Sequence, residues 1–266
     1  MLAWSHRHEA ASARDGHPAS VHVACTRACR NEYANDDLVR NGGLALLSGL
    51  TPSGTLEVDP DLYARACAIE GYFTEQEASL LCRAIQTAGR PPVYLEVGSF
   101  RGRSTMFALS ALPPEGRVIA VDAFVYSDHS AAELRATLQD GRVSVLEGTL
   151  AQNWSRIARR RPNVVLIDAD HSFAGVVVDL SLSVALAQAD ALIATHDFSD
   201  RFPGVKAAVG ALVDAGVLRH VESSGDLAVW AVQERPAWLI DPRPELTSEL
   251  PEDAAGWVPE LVQLTS

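Results

Sequence analysis

Between Val93 and Val232, short aliphatic runs alternate with helix-compatible segments, and this constrains the fold more than any other feature of the 266-residue chain. The runs are VYLEVGS from Val93, RVIAVDAF from Arg117, VSVLEGT from Val143, NVVLIDAD from Asn163 and ALIATHDF from Ala191. Helical segments are expected near 103–112, 130–140, 150–160, 173–188 and 204–215. Strands that are apolar along their whole length are buried on both faces, which requires a mainly parallel sheet covered by helices on each side. The expected class is therefore α/β, doubly wound and Rossmann-like.

The pattern changes at LRHVESSGDLAVWAV, from Leu218 to Val232, where two strand-like runs meet at Ser223, Ser224 and Gly225. This reads as a hairpin, one strand of which runs antiparallel to the rest. Ahead of the sheet, apolar residues from Asp59 to Ala88 recur at helical spacing, broken at Gly71 and restarted at Thr74, whose hydroxyl can cap a second helix. The chain thus divides into an N-terminal arm, partly disordered, at 1–58, a helical segment at 59–90, the main domain at 91–232 and a tail at 233–266 rich in Pro and Glu.

Charge and composition exclude several functions. Twenty-two Lys and Arg stand against 34 Asp and Glu, a net charge of -12, which repels a phosphate backbone and argues against nucleic acid. No apolar run reaches the length of a membrane span or a secretion signal, so a cytoplasmic protein is expected. Of the four cysteines, Cys67 and Cys82 sit in helical apolar patterns and are expected in the core as free thiols. His22, Cys25 and Cys29 lack the fourth ligand of a structural zinc site.

In an open parallel sheet the ligand binds beyond the carboxyl ends of the strands, so the residues ending each run carry the chemistry. The first run ends in Glu96, Gly98, Ser99, Gly102 and Ser104, a glycine turn that brings the backbone close to a ligand before a helix N-terminus. A dinucleotide loop would need glycine at Phe100 and Arg103, and a phosphate loop would need glycine at Arg103 and lysine at Ser104. Both are rejected. Asp122, with Ala123 beside it, ends the second run 20 residues after Gly102, as an acid that accepts from a ribose diol should. Gly148 and Thr149 end the third, Asp168-Ala169-Asp170-His171 the fourth and Thr195-His196-Asp197 the fifth. Three carboxylates and two imidazoles at adjacent strand ends exceed what a core requires. Asp170 and Ser172 each have the alternative reading of a helix cap.

The segments LEVGSFRGRST, VLIDADHSFAGVVVDL and THDFSDRFPGV, in that order, resemble the class I S-adenosylmethionine-dependent methyltransferases, in particular the small-molecule group of the macrolide-sugar O-methyltransferases and their cephalosporin-biosynthesis relatives. The resemblance implies that the glycine turn lies against the methionine part of the cofactor, that Gly148 and Thr149 line the adenine, and that Asp168 belongs to the same site. It also implies a magnesium site, with Asp168 and Asp197 as oxygen ligands and His196 where relatives often carry an acid. An imidazole there weakens the case for magnesium, which prefers oxygen. Where relatives have a Gly-Gly turn before the fifth strand, this chain has Ala187 to Ala191, AQADA.

Methyl transfer needs an aligned acceptor and a destination for its proton. His171 is the candidate base, since an imidazole of ordinary pKa near 6.5 is largely neutral at physiological pH. The expected reaction is O-methylation of a small molecule, a sugar or other natural-product intermediate, with possible metal assistance. N-methylation of an amine and a non-catalytic nucleoside-binding subunit are the alternatives. Tyr126 and His129 are candidates for the acceptor pocket, and homo-oligomers are compatible with the sequence.

Overall fold

The computed structural model describes residues 56–89, 91–125 and 129–233. The arm before Leu56, with His22, Cys25 and Cys29, lies outside the described residues, as do Tyr126 and the tail after Gln233.

Helix α1 (Pro60–Ala68) starts at Asp59, whose carboxylate accepts from the Asp61 and Leu62 amides, with Pro60 supplying a preset φ. Helix α2 (Glu75–Thr87) starts with a reciprocal capping box, in which Thr74 accepts from the Glu77 amide and Glu77 accepts from the Thr74 amide. Then follow β1 (Val93–Val97), α3 (Arg103–Ala111), β2 (Arg117–Asp122), α4 (Ala131–Leu138), β3 (Val143–Glu147), α5 (Trp154–Ile157), β4 (Val164–Ile167), α6 (Phe173–Leu186), β5 (Leu192–Thr195), α7 (Pro203–Asp214), β6 (Leu218–Ser224) and β7 (Leu227–Val232).

The seven strands are ordered β3-β2-β1-β4-β5-β7-β6. The first five are parallel, and β7 is antiparallel to both β5 and β6. The order reverses between β1 and β4, so the loops leaving those strands diverge and open a crevice at their carboxyl ends. The hairpin expected from LRHVESSGDLAVWAV is present, turning at Gly225 with φ 60.

Side-chain alternation along the strands sorts the apolar residues into two cores. Leu95, Val97, Ile119, Val165, Ile167 and Ile193 face α5, α6 and α7, while Tyr94, Val118, Ala120, Val164 and Leu166 face α2, α3 and α4. Each fully buried aliphatic side chain contributes about 1.5–3 kcal/mol relative to exposure. Cys82 is buried in the second core, and Cys67 packs at its edge. Among the described residues no helix is long and apolar enough to cross a membrane.

Two local features depart from expectation. Helix α5 is a single turn, because Gly148 (φ 111) and the Asn153 amide, which donates to the Glu147 and Thr149 carbonyls, spend the preceding residues on a turn. In the AQADA segment the sharp turn is made by Asp190 in the left-handed region (φ 63), a conformation Asp tolerates better than most residues.

Candidate active site

Loops leaving β1, β2, β4 and β5 converge at the carboxyl edge of the sheet. Strain is concentrated there: Phe100 (φ 46), Phe124 (φ 49) and Asp197 (φ 56) all occupy the left-handed region just after β1, β2 and β5. Such residues persist only where surrounding contacts over-determine them, and they cluster at functional sites.

The β1 loop is built around close backbone contact. Gly98, with φ 89, leaves no room for a side chain, since a Cβ there would stand 2.0 Å from the Asp168 carbonyl oxygen. This glycine therefore lets the β1 and β4 ends touch across the crevice. Glu96 lies on the α3 face of the sheet, fully buried, accepting from the Tyr94 hydroxyl at 2.8 Å and the Ser104 hydroxyl at 2.6 Å. Burial pushes its carboxyl up to about 7 despite these bonds. Glu96 and Ser104, both expected at the cofactor, face one another under the loop and anchor α3 to β1. Ser99 is also buried, and its hydroxyl has no hydrogen-bond partner.

Arg103, read from the sequence only as a residue that excludes a phosphate loop, ties that loop to the N-terminal helices. Its guanidinium donates to the Cys67, Ile69 and Phe73 carbonyls at 2.8, 2.7 and 2.7 Å, capping the C-terminal end of α1. Arg101 pairs with Glu70 on the same segment.

Asp122 accepts the Phe100 amide on one oxygen at 2.7 Å and the Phe124 amide on the other at 2.6 Å. One carboxylate thus holds the strained residues of two loops. It retains acceptor capacity, because a carboxylate offers about four lone-pair sites.

At the β4 and β5 ends, Asp168, His171 and Asp197 each present a ligand atom within 4.8 Å of the others. His171 Nε2 is 2.8 Å from Asp197 Oδ2, its ring lies against Phe202, and its side chain is 41% exposed, so it is open to an incoming molecule. Asp170 accepts from the Ser172 amide and hydroxyl, and Ser172 caps α6 by accepting from the Gly175 amide. Ser172 is thus the cap, and Asp170 braces it. Gly204, where a Cβ would meet the His171 carbonyl at 2.4 Å, brings the start of α7 directly under His171.

His196 lies beside the same two carboxylates. It is buried, with Nδ1 3.3 Å from Asp168 Oδ1 and 3.7 Å from Asp197 Oδ2, while Nε2 faces Glu77 Oε2 at 3.5 Å. Burial alone would lower its pKa, but Asp168, Asp197 and Glu77 outweigh that and raise it well above the usual histidine range. The residue whose ligand atom groups with those of Asp168 and Asp197 is His171. The two carboxylates, Asp168 and Asp197, would hold a divalent ion through oxygen, with His171 beside them left to accept a proton.

Glu77 was legible only as part of a helix cap. Its buried carboxylate accepts from Thr74 and, at 2.9 Å, from the Asp226 amide at the hairpin turn, while facing His196. One residue therefore connects α2, the β6–β7 turn and the strand-end cluster. Burial would raise its pKa, but His196 and Thr74 hold it at about 2.

Residues 95–198 match the family model described as a methyltransferase domain. No curated protein sequence matches the chain. Among solved structures, cofactor-bound Rv0187 from MTB shares 23% identity with a TM-score of 0.53, covering 66% of this chain and 91% of that one. The O-methyltransferase from Bacillus cereus in complex with SAH shares 18% identity with a TM-score of 0.51, covering 75% and 94%. SAH-bound Podospora anserina methyltransferase PaMTH1 shares 13% identity with a TM-score of 0.52, covering 66% and 87%. At these identities the solved structures establish a shared fold.

Proposed function

We infer that this chain, a S-adenosylmethionine-dependent methyltransferase, methylates a hydroxyl oxygen of a small molecule. The observation that carries the hydroxyl reading is the His171–Asp197 pair at 2.8 Å on the open side of the strand-end cluster. An alcohol must lose its proton as the new bond forms, and general base catalysis contributes about 10²–10⁴-fold. His171 accepts that proton on Nδ1, while its Nε2–H donates to Asp197, which stabilises the imidazolium.

S-adenosylmethionine supplies an electrophilic methyl group on a sulfonium sulfur. The chain's own residues fit such a ligand: Ser99 carries an orphaned buried hydroxyl in the turn after β1, Gly98 lets that turn pass close to β4, and Asp122 keeps spare acceptor capacity toward a ribose diol. Gly102, Ala123, Gly148 and Thr149 stand on the same carboxyl edge, and Gly102 holds φ 88 directly before α3. A divalent ion held by Asp168 and Asp197 would lower the pKa of the acceptor hydroxyl. The macrolide-sugar group suggested by the DADHS and THD segments supplies the substrate class, a hydroxylated natural-product intermediate. Incubation with methyl-labelled S-adenosylmethionine and a panel of catechols, sugars and hydroxylated macrolactones tests the reading. The expected product is an O-methyl ether, and exclusive N-methylation of added amines would overturn it.

A further inference from the structure

We propose that His129 is a positioning residue for the cofactor side of the site, acting through Asp122, rather than a residue of the acceptor pocket. It stands just before the Ser130 cap of α4 and is only 8% exposed. Its ring is packed edge-on against Phe100, with centroids 4.8 Å apart, and tilted against Phe124 at 5.4 Å. Its Nε2 lies 3.7 Å from Asp122 Oδ1, within ion-pair range.

These contacts link two loops to one carboxylate. Phe100 and Phe124 are held in left-handed backbone conformations, and both donate their amides to Asp122. Strain of this kind costs on the order of 1–3 kcal/mol per residue and needs support from its surroundings. The two phenylalanine rings close on the His129 ring from either loop, so the imidazole fills the space that keeps both amides aimed at Asp122. Its nitrogen faces the same oxygen that the Phe124 amide engages. Asp122 is thereby fixed from behind, with its free lone pairs left for the ligand. A preorganised acceptor spares the ordering cost that binding would otherwise meet.

The inference rests on the reading of Asp122 as the ribose acceptor, and S-adenosylhomocysteine is the probe for both. Calorimetric titration of His129→Phe, which keeps an aromatic ring in place and removes the nitrogen, is expected to show affinity at least fivefold weaker than the parent with an unchanged melting temperature. In Asp122→Asn/His129→Phe the His129 change is expected to add less than twofold, because its effect runs through the carboxylate. Affinity of His129→Phe within twofold of the parent, or full additivity in the double variant, would overturn the proposal. Should the phenylalanine variant fail to fold, His129→Gln and His129→Leu decide: glutamine fivefold tighter than leucine supports positioning through the nitrogen, and equal affinities refute it. If Asp122→Asn itself binds as the parent does, the underlying reading of Asp122 fails. If Asp122→Asn is weakened and His129→Phe is not, only the role of His129 fails.

Discussion

His171 Nε2 lies 2.8 Å from Asp197 Oδ2, and Asp197 holds that position from the left-handed region of backbone space, with φ 56. The strained residue after β5 thus aims its carboxylate at the imidazole delivered by the β4 loop. Burial would raise the Asp197 pKa, but His196, His171 and Arg201 lower it, so the carboxylate is ionised across the physiological range.

Replacing His171 by Ala therefore removes the proton acceptor while leaving the β1 and β2 loops untouched. Turnover is expected to fall about 10²–10⁴-fold, the usual range for a general base. Affinity for S-adenosylhomocysteine, measured by calorimetry, stays within about twofold. Unchanged turnover would remove His171 from the reaction.

Asp122→Ala acts on the opposite half of the crevice. It withdraws the acceptor from the Phe100 and Phe124 amides as well as from the ligand. A hydrogen bond to a charged group contributes about 1.5–3 kcal/mol, so S-adenosylhomocysteine affinity is expected to drop at least tenfold. The melting temperature falls with it, whereas Asp122→Asn retains one acceptor and loses less stability.

Much of this arrangement is legible in the sequence. The five apolar runs, their polar ends and the LRHVESSGDLAVWAV hairpin follow from periodicities that local sequence carries. The Glu77–His196 contact does not, because the order in which strands are laid down sets its proximity, and the His129–Asp122 contact does not, because no periodicity encodes a side chain returning to the strand end it follows. Glu77 satisfies a helix cap completely at the local level, which conceals its second role. Strand alternation places Glu96 on the α3 face, where it accepts from Ser104.

The Glu77–His196 contact gives a pH signature. Glu77 is held at about 2 against an ordinary 4.5, so its contribution to stability is present above about pH 4.5 and is lost as pH falls toward 2. His196 has a raised pKa, so its contribution is complete below about 6.5 and declines as pH rises above that. Chemical denaturation should therefore show maximal stability from this contact between about pH 4.5 and 6.5. Glu77→Gln flattens the acid limb, removing at most about 3 kcal/mol of its amplitude. An unaltered acid limb would contradict the assigned contact.

Gly98→Ala tests the crevice floor. The new Cβ would overlap the Asp168 carbonyl, and the residue would be forced to keep φ 89. Backbone would have to move at both strand ends, so destabilisation of about 3 kcal/mol or more is expected in urea titration.

Manganese titration followed by electron paramagnetic resonance addresses the Asp168, His171 and Asp197 group. One ion per chain is expected, with affinity lost in Asp168→Asn and retained in Asp170→Asn, whose carboxylate is engaged with Ser172. Equal loss in both variants would place the ion elsewhere.

The most direct test of hydroxyl methylation with His171 as base combines carbon-13 methyl-labelled S-adenosylmethionine with the hydroxyl panel and reads the product by NMR. The account predicts a methoxy resonance that forms with the parent protein and is absent with His171→Ala, while that variant still binds S-adenosylhomocysteine. A label found only on nitrogen, or a methoxy product formed equally well by His171→Ala, would contradict it.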